Sequence, residues 1–458
     1  MRRTLFIAAA VVLVLAAGAG AVLSGLIGAG PAGAALRATL GVHGGDEGVR
    51  AGPEHRWTEA ERGMIASLSI DRLPPLPPDP SNSFGDDPAA VALGHMLFFD
   101  SGLSPDGTVA CSSCHVPELY FTDGKVRANV RGADTPRHTP TIVGIGYSDW
   151  YYWDGRRDSQ WAQALAPQEA AIEHGGNRMA HARYVLDSYR EEYEALFGPA
   201  PDLSDDIRFP PSAAPVEDET VRAAWERMTS EDQGTVNRVF ANIGKSIAAY
   251  SRRILPGRSR FDDYAAAVVA NDGGLMVELF SAEEAAGLRL FIGEGQCTDC
   301  HNGPLFTNGT FHNIGLPLPV GENFDQGRSL GTFRVVDDAF NCLGPFSDAG
   351  SEDCVELRFI KMEGEELVGA FKVPGLRNTA DTAPYMHNGI FPDLDAVIRH
   401  YNHAPPAFPG HSDLVPLALT VEQSDALKAF LMTLSAEPDA PSELLKPPKV
   451  LEGSGSSG

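Results

Sequence analysis

The apolar residues of this chain recur mostly at helical spacing. One such stretch runs from Ala89 to Phe99 and another from Val236 to Tyr250, with Pro256 after the second. Residues three and four positions apart lie on one face of a helix, so both stretches predict helices that pack against a core. The longer stripe is interpreted as core packing and not as a cofactor-binding face.

Two more helices are marked at their starts. Ser281 with Glu284, and Thr420 with Gln423, form capping boxes ahead of apolar residues at helical spacing. Residues 315–370 form a long insertion between these helices, and strand-like residues at 355–368 predict a small hairpin there. Together the patterns predict an all-α protein with a small β and loop insertion in its C-terminal part.

The N-terminal region has a different pattern. Arg2 and Arg3 precede an uncharged apolar run over residues 5–27. This arrangement is typical of a secretory signal, but the run is also long enough to be an uncleaved membrane anchor, so both alternatives stay open. In either case the sequence predicts export to the periplasm, with membrane contact through this segment alone.

The other boundaries follow from composition. The Pro-rich residues 73–80 predict a stiff linker, and the end of the chain is rich in Pro and Ser. The predicted organisation is a signal or anchor at 1–35, a linker at 36–84, domains at 85–275 and 276–437, and a disordered tail at 438–458.

The charge of the chain restricts its partners. The net charge is −25, from 36 Lys and Arg residues against 61 Asp and Glu residues. Such an acidic surface argues against nucleic acids and anionic membranes as partners, and it favours a basic or neutral protein.

Four of the six cysteines lie in two motifs of the same form. C-x-x-C-H is the attachment pattern of c-type haem, in which both thiols bond to the haem and the histidine ligates its iron. A structural zinc site is the alternative for one copy, but two copies favour two covalently bound haem c groups. The motifs are Cys111-Ser-Ser-Cys114-His115 and Cys297-Thr-Asp-Cys300-His301.

The remaining cysteines, Cys342 and Cys354, lie in the loop-like insertion. In an oxidising compartment such a pair predicts a disulfide. Two free thiols are the alternative.

The residues around the two motifs indicate an internal duplication. Matching positions occur before the motifs, just after them and further along the chain. One domain has therefore been used twice, and its copies differ where their chemistry would differ. Three matching pairs are Gly94 with Gly287, Phe121 with Phe306, and Trp153 with His387.

The stretch over residues 376–402 carries a specific resemblance. It contains Pro384-Tyr-Met-His387 and, further on, Tyr401-Asn. With both cysteine motifs, it resembles the bacterial dihaem cytochrome c peroxidase and MauG superfamily over roughly residues 85–437. The resemblance implies two cytochrome c-like haem domains in tandem.

In the second copy, the resemblance implies that Tyr401 is the sixth ligand of the haem iron. The family's ligand lies 14 residues after the histidine that corresponds to His387. Peroxidases usually have methionine there, whereas MauG-type enzymes have tyrosine, a hard ligand that favours oxidised iron. Met386 and His400 are competing candidates by composition.

In the first copy, the resemblance implies an open and reactive haem. Trp153 matches the tryptophan that lies between the haems as an electron-transfer bridge. The family's distal glutamine, proline and glutamate correspond to Gln163, Pro167 and Glu173. The glutamate would transfer the proton of bound peroxide, and the glutamine would orient the peroxide.

Two positions depart from the family's pattern. Arg131 stands where many of the peroxidases have a histidine that blocks the first haem, so this haem is predicted to be open at rest. His138 replaces an asparagine of an interhaem calcium site, whose carbonyl ligands would be Thr382 and Pro384. Calcium prefers oxygen ligands, so an imidazole is a poor replacement for the asparagine. Two alternatives stay open: a calcium ion is bound, or His138 takes its place with a hydrogen bond to the same carbonyls.

The leading hypothesis is a dihaem oxidoreductase that reduces hydrogen peroxide. Its electrons would come from a small protein donor, either a cytochrome c or a cupredoxin. The first alternative is a MauG-type oxidase that modifies a tryptophan or another residue of a partner protein. The second is a non-enzymatic electron carrier or redox sensor, which would have two six-coordinate haems.

Overall fold

The structure is a computed structural model that describes residues 52–319 and 321–449. The predicted signal or anchor at residues 5–27 and the last residues of the predicted tail lie outside this range. Within it, no helix is long and apolar enough to cross a membrane. The chain folds into two helical halves, each with its own apolar core.

Helix α1 (Glu59–Leu68) comes first, and the helices of the first half follow. The predicted apolar stripe lies on the longest of these, where Val236, Phe240 and Ile247 are buried. The helices are α2 (Pro88–Phe99), α3 (Gln160–Glu169), α4 (Arg178–Ser188), α5 (Arg190–Phe197), α6 (Glu219–Glu226) and α7 (Ser230–Ser251). Because α2, α3 and α4 all pack against α7, this helix is the centre of the first half.

The second half also has a pair of closely packed helices, α10 (Ala282–Ile292) and α14 (Val421–Leu431). Both predicted capping boxes are present, with Ser281 as the N-cap of α10 and Thr420 as the N-cap of α14. The all-α prediction is thereby confirmed. The helices are α8 (Arg260–Ala270), α9 (Gly273–Leu279), α10 (Ala282–Ile292), α11 (Arg328–Val336), α12 (Val355–Arg358), α13 (Leu394–His403) and α14 (Val421–Leu431).

A glycine permits the main helix contact of each half. A Cβ atom at Gly94 in α2 would collide with the carbonyl of Ser246 in α7. In the same way, a Cβ atom at Gly287 in α10 would collide with the carbonyl of Ala426 in α14. Backbones approach this closely only where a side chain is absent. The repeated contact is the structural counterpart of the duplication.

The insertion of the second half contains less strand than its residues suggest. Residues 355–368 form helix α12 and a 3₁₀ turn at Glu365–Leu367, so the hairpin prediction is wrong. A disulfide joins Cys342 to Cys354, whose left-handed backbone starts α12 and turns the chain away from an extended course. The described strands are β1 (Phe311–His312) and β2 (Phe371–Lys372), which pair antiparallel.

Part of the predicted linker at 36–84 is folded. Helix α1 buries Ile65 and Leu68 in the second core, and the Trp57 indole donates to the Tyr264 hydroxyl at 3.0 Å. The linker prediction therefore does not hold for residues 53–72. Their apolar residues are few, and the partners of these residues lie about 200 positions away in the chain.

The predicted tail and domain boundary also need correction. The Tyr250 hydroxyl donates to the Leu444 carbonyl at 2.7 Å, so residues 438–449 lie against the first half and are ordered. Helix α8 precedes the predicted boundary at 275 and helix α9 spans it, yet Phe261 and Leu275 pack into the second core. In both cases packing between segments that are distant in the sequence determines which half a segment belongs to.

Candidate active site

Each cysteine motif contains a 3₁₀ turn followed by its histidine. His115 Nδ1 lies 2.9 Å from the Phe121 carbonyl oxygen, and His301 Nδ1 lies 2.9 Å from that of Phe306. A ring that donates from Nδ1 keeps the lone pair of Nε2 free for a metal. Burial lowers the pKa of both histidines, that of His301 to about 4, so both rings are neutral.

The two acceptor carbonyls belong to residues with the same unusual backbone. Phe121 and Phe306 have φ angles of 60° and 55°, in the left-handed region that non-glycine residues seldom adopt. Both phenylalanine rings are fully buried, which holds the backbone in this conformation. A buried aromatic side chain thus orients the histidine in each half.

The four thiols of the motifs are free and partly exposed. Burial is the main cause that raises the pKa of Cys111 and of Cys297 to about 12. These two thiols therefore stay protonated near neutral pH, and each cysteine pair lies beside the histidine of its own motif.

A large cavity lies against the second motif. Its volume is about 630 Å³, and cofactor pockets measure roughly 300–1,000 Å³. Its lining includes Cys297, Cys300, His301 and, from helix α13, Tyr401. Burial, followed by the two cysteines, raises the pKa of the Tyr401 phenol. Within the described part of the chain, no hydrogen bond engages the Tyr401 hydroxyl.

The two competing candidates for the sixth ligand differ in their surroundings. His400 is buried, and its Nε2 lies 2.7 Å from the Ile314 carbonyl oxygen, so its ring is already engaged. Met386 lines the same cavity as Tyr401 and lies in a tight turn with a φ angle of 76°. Met386 and Tyr401 also differ in the residues that correspond to them in the first half.

Helices α3 and α13 occupy equivalent places in the two halves. Each follows an N-cap, Ser159 or Asp393, whose side chain accepts a hydrogen bond from the helix backbone. A short antiparallel bridge precedes each helix. One shift along the sequence aligns both caps and both bridges, so the helices are in register. The bridges pair Tyr151 with Arg157 and Tyr385 with Phe391.

This register places Tyr401 of α13 at the position of Pro167 in α3. A proline side chain has no atom that can ligate a metal, whereas a phenol has one. The same shift aligns Met386 with Tyr152, in the turn before the helix. At this helix position the second half therefore carries a side chain that is able to ligate a metal, and the first half does not.

Glu173 lies beside the first motif. Burial raises the pKa of its carboxyl group, and Arg156 opposes that rise. Burial, Asp123 and Glu173 together raise the pKa of Cys114 to about 11, so the glutamate is close to this cysteine. No other residue in the described ranges donates a hydrogen bond to the carboxylate of Glu173. A buried carboxyl group with a raised pKa is suited to proton transfer.

Gln163 and Pro167 are four positions apart on α3 and therefore share a face of the helix. The Tyr152 hydroxyl donates to the Gln163 carbonyl oxygen at 3.0 Å. Burial is the main cause that raises the pKa of Tyr152 to about 12, and Glu173 contributes to the rise. Tyr152 thus lies between α3 and Glu173, and the catalytic roles of these residues stay predictions.

Trp153 lies where the two halves meet. Its indole Nε1 donates to the His138 carbonyl at 2.9 Å, and the His138 amide donates to the His387 carbonyl at 2.8 Å. Trp153 also lines the cavity of the second motif, although it belongs to the first half. This position is compatible with an electron bridge, and that role stays a prediction.

Two cationic residues of the second half hold the Trp153 loop, and no pattern in the sequence predicts either contact. Arg328 donates to the Gly155 carbonyl at 2.7 Å and is stacked between two aromatic rings, at 4.0 and 4.1 Å. Lys372 donates to the Trp153 carbonyl from its backbone amide at 2.7 Å. Neither residue lies in a motif that would have revealed this contact. The aromatic rings are those of Trp150 and Phe311.

Arg131 stands at the position of the family's blocking histidine. It forms an ion pair with Asp106 at 3.1 Å and donates to the His174 carbonyl at 3.2 Å. A guanidinium group has no lone pair available for a metal. The arginine is thus fixed in place by two partners and cannot take over the role of a ligand.

His138 differs from what the sequence suggests. Its Nδ1 lies 2.8 Å from the Lys125 carbonyl, so its ring does not replace calcium by bonding to the carbonyls of Thr382 and Pro384. Both of these residues line the large cavity. Over residues 52–319 and 321–449, no group of three or more His, Cys, Asp or Glu side chains is arranged to hold a metal ion. Calcium bound by backbone carbonyls stays a prediction.

The residues at both motifs fit a c-type haem. Each motif offers two free thiols and a neutral imidazole with a free Nε2. In the second half, a cavity of cofactor size contains these groups together with the Tyr401 phenol. In the first half the same groups lie beside Glu173.

Similar sequences belong to one family. The family described as di-haem cytochrome c peroxidase matches residues 88–269. Cytochrome-c peroxidase IdrP1 of Denitromonas iodatirespirans is 31% identical over 382 residues, which cover 79% of this chain and 85% of that protein. Methylamine utilization protein MauG of Methylorubrum extorquens is 30% identical over 355 residues, which cover 77% of this chain and 80% of that protein.

Solved structures show the same arrangement of helices. A MauG-like protein associated with microbial copper homeostasis has a TM-score of 0.53 and 26% sequence identity, and the match covers 82% of this chain and 98% of that one. The diheme peroxidase BthA from Burkholderia thailandensis has a TM-score of 0.56 at 20% identity, over 79% of this chain and 90% of that one. The second likeness concerns the fold alone.

Proposed function

Because this chain belongs to the family of dihaem cytochrome c peroxidases and MauG proteins, and is therefore a haem peroxidase, we propose that it reduces hydrogen peroxide with electrons from a protein donor. The observation that carries the proposal is the difference between Pro167 and Tyr401 at one helix position. It supports one haem that is open to peroxide and one that is closed by a ligand.

Each cysteine motif is proposed to bind one haem c covalently, through Cys111 and Cys114 in the first half and Cys297 and Cys300 in the second. A bound haem supplies a redox-active iron, with which peroxide and electron donors can react. The motif histidines would be the proximal ligands, because their Nε2 atoms are free.

The residues of the first half would move protons and orient peroxide. The Glu173 carboxylate accepts one proton of hydrogen peroxide and returns it to the departing oxygen, which leaves as water. Its side chain is available for this transfer, since it has no hydrogen-bond donor in the described structure. Gln163 would orient the peroxide. Two electrons and two further protons complete the reduction to two water molecules.

The ferric protein provides the test of this assignment. We expect electron paramagnetic resonance (EPR) to show one high-spin haem in the half with Pro167 and one low-spin haem in the half with Tyr401. Tyr401→Phe should convert the low-spin signal to high spin, because it removes the ligating oxygen. Two low-spin haems in the unmodified protein would contradict the proposal and favour an electron carrier or redox sensor.

A MauG-type oxidase that acts on a residue of a partner protein is the second candidate. Tyr401 favours it, because a phenolate stabilises oxidised iron. So does Arg131, because it cannot block the first haem. Peroxide titration separates the candidates. Reaction of the fully oxidised protein supports the MauG-type activity, whereas a requirement for prior half-reduction supports an ordinary peroxidase.

The donor and the location are part of the proposal. The net charge of −25 supports a basic or neutral donor, such as a small cytochrome c or cupredoxin. The disulfide between Cys342 and Cys354 supports an oxidising compartment, here the periplasm. Fractionation of expressing cells tests this location, and haem-loaded protein in the cytoplasmic fraction would contradict it.

A further inference from the structure

Lys372 is partly buried and lines the cavity of the second motif. Its Nζ donates to the Ser148 hydroxyl at 2.8 Å and to the Trp150 carbonyl at 2.7 Å. Both partners belong to the loop that carries Trp153. An ammonium group has three N–H donors, so one of them is not used by these two bonds.

The charge of Lys372 has no ion-pair partner among the described residues. Asp149 also lines the cavity and acts on the lysine only through space. Lys245, which is fully buried, has an ion pair with Asp348 at 2.8 Å. An ammonium group that is partly withdrawn from water without a carboxylate is unfavourable unless another anion lies beside it.

The other cations of this cavity are already paired. Arg127 has an ion pair with Glu322 at 2.7 Å, and Arg377 with Asp262 at 2.9 Å. Lys372 therefore remains for an anion that enters the cavity. A c-type haem carries two propionate carboxylates, and a carboxylate accepts a short, strong hydrogen bond from an ammonium group.

We propose that Lys372 binds a propionate carboxylate of the haem at the second motif and thereby ties this haem to the Trp153 loop. The inference rests on the proposed haem content of this half, and it adds a specific anchor for it. Lys372 would then have three contacts. Its backbone amide and its ammonium group both bind the Trp153 loop, and the ammonium group also binds the haem.

The test uses the full-length, haem-loaded protein and the midpoint potential of each haem. Lys372→Met should lower the potential of the low-spin haem, because it removes a positive charge that disfavours ferric iron. Lys372→Arg keeps the positive charge, so the potential of the low-spin haem should stay close to that of the unmodified protein. Lys361→Met removes an equal charge from an exposed lysine 11 positions earlier in the chain and should leave both potentials unchanged.

A second control separates cofactor binding from support of the loop. Ser148→Ala removes one bond between Lys372 and the loop but keeps the charge, so it should leave the potential near that of the unmodified protein. An equal shift in Ser148→Ala and Lys372→Met would overturn the proposal, as would an unchanged potential in Lys372→Met. If Lys372→Met does not fold, Lys372→Gln serves the same comparison.

Resonance Raman spectra give an independent readout. The propionate bending band of the low-spin haem should move in Lys372→Met and not in Lys361→Met, and an unmoved band would overturn the proposal. Failure of the proposed function would appear differently, as two low-spin haems in the unmodified protein.

Discussion

The two halves of the molecule share a scaffold and differ in what it presents. In both, a glycine lets two helices meet, and a buried phenylalanine carbonyl holds the motif histidine. In both, a capped helix follows a short antiparallel bridge, but Pro167 in one half is replaced by Tyr401 in the other. The two halves thus share the parts that would place a cofactor, and we expect a single side chain on that scaffold to decide whether the haem iron is closed by a sixth ligand.

The largest effect is expected from Glu173 of the first half. Glu173→Gln should lower peroxide turnover by roughly 10²–10⁴-fold, because an amide cannot accept and return a proton. Steady-state peroxide consumption measures this change. Glu118→Gln is the matched control, since this exposed glutamate also lies near the first motif. A similar loss in both variants, or none in Glu173→Gln, would remove Glu173 from the mechanism.

The register of α3 and α13 can be tested by making the halves alike. Pro167→Tyr places a phenol in the first half where Tyr401 lies in the second. We expect the high-spin EPR signal to become low-spin and peroxide turnover to fall, because the open position is closed. Ala166→Tyr introduces the same side chain one position earlier and should keep the high-spin signal. If Pro167→Tyr stays high-spin, the two helices are not functionally equivalent.

The shared scaffold predicts equal costs in the two halves. Gly94→Ala and Gly287→Ala should each destabilise the protein by about 1–3 kcal/mol, because the added methyl group forces the helix backbones apart. Thermal or denaturant unfolding measures both. Gly63→Ala is the control, because Gly63 lies in α1 with open space around it and should gain roughly 0.5–1 kcal/mol. A cost in one half alone would show that the halves are packed differently.

The features that local residues determine could be predicted from the sequence. The capping boxes at Ser281 and Thr420 were among these, because an N-cap acts on a residue three positions away. The positions of Trp153, Gln163 and Glu173 came from the resemblance to a family. Glu173 lies near Cys114 of the first motif and Trp153 lies at the junction of the halves, whereas the catalytic roles of all three residues stay predictions.

The features that distant segments determine could not be predicted. Helix α1 lies in a stretch whose composition predicts a linker, because its partners Phe261 and Tyr264 come much later in the chain. Arg328 and Gly155 are 173 positions apart, and no periodicity or motif connects such residues. The hairpin prediction for residues 355–368 is wrong for a related reason. A strand requires a partner strand, and the composition of a segment does not show whether it has one.

The smallest effect is expected from Arg328 of the second half, which supports the Trp153 loop of the first half. Arg328→Lys keeps the charge but loses the planar group that lies between Trp150 and Phe311 and donates to Gly155. We expect a cost of about 0.5–2 kcal/mol in unfolding free energy. Electron exchange between the haems after photoreduction should also slow, because the loop holds Trp153 less firmly.

Arg334→Lys makes the same change at an exposed position of the same helix, and it should alter neither quantity. A loss of stability in Arg328→Lys without slower exchange would mean that Arg328 supports the fold and not the bridge. Slower exchange with the spin states of both haems unchanged would show that the second half contributes to the electron path by holding the Trp153 loop, independently of its own ligand.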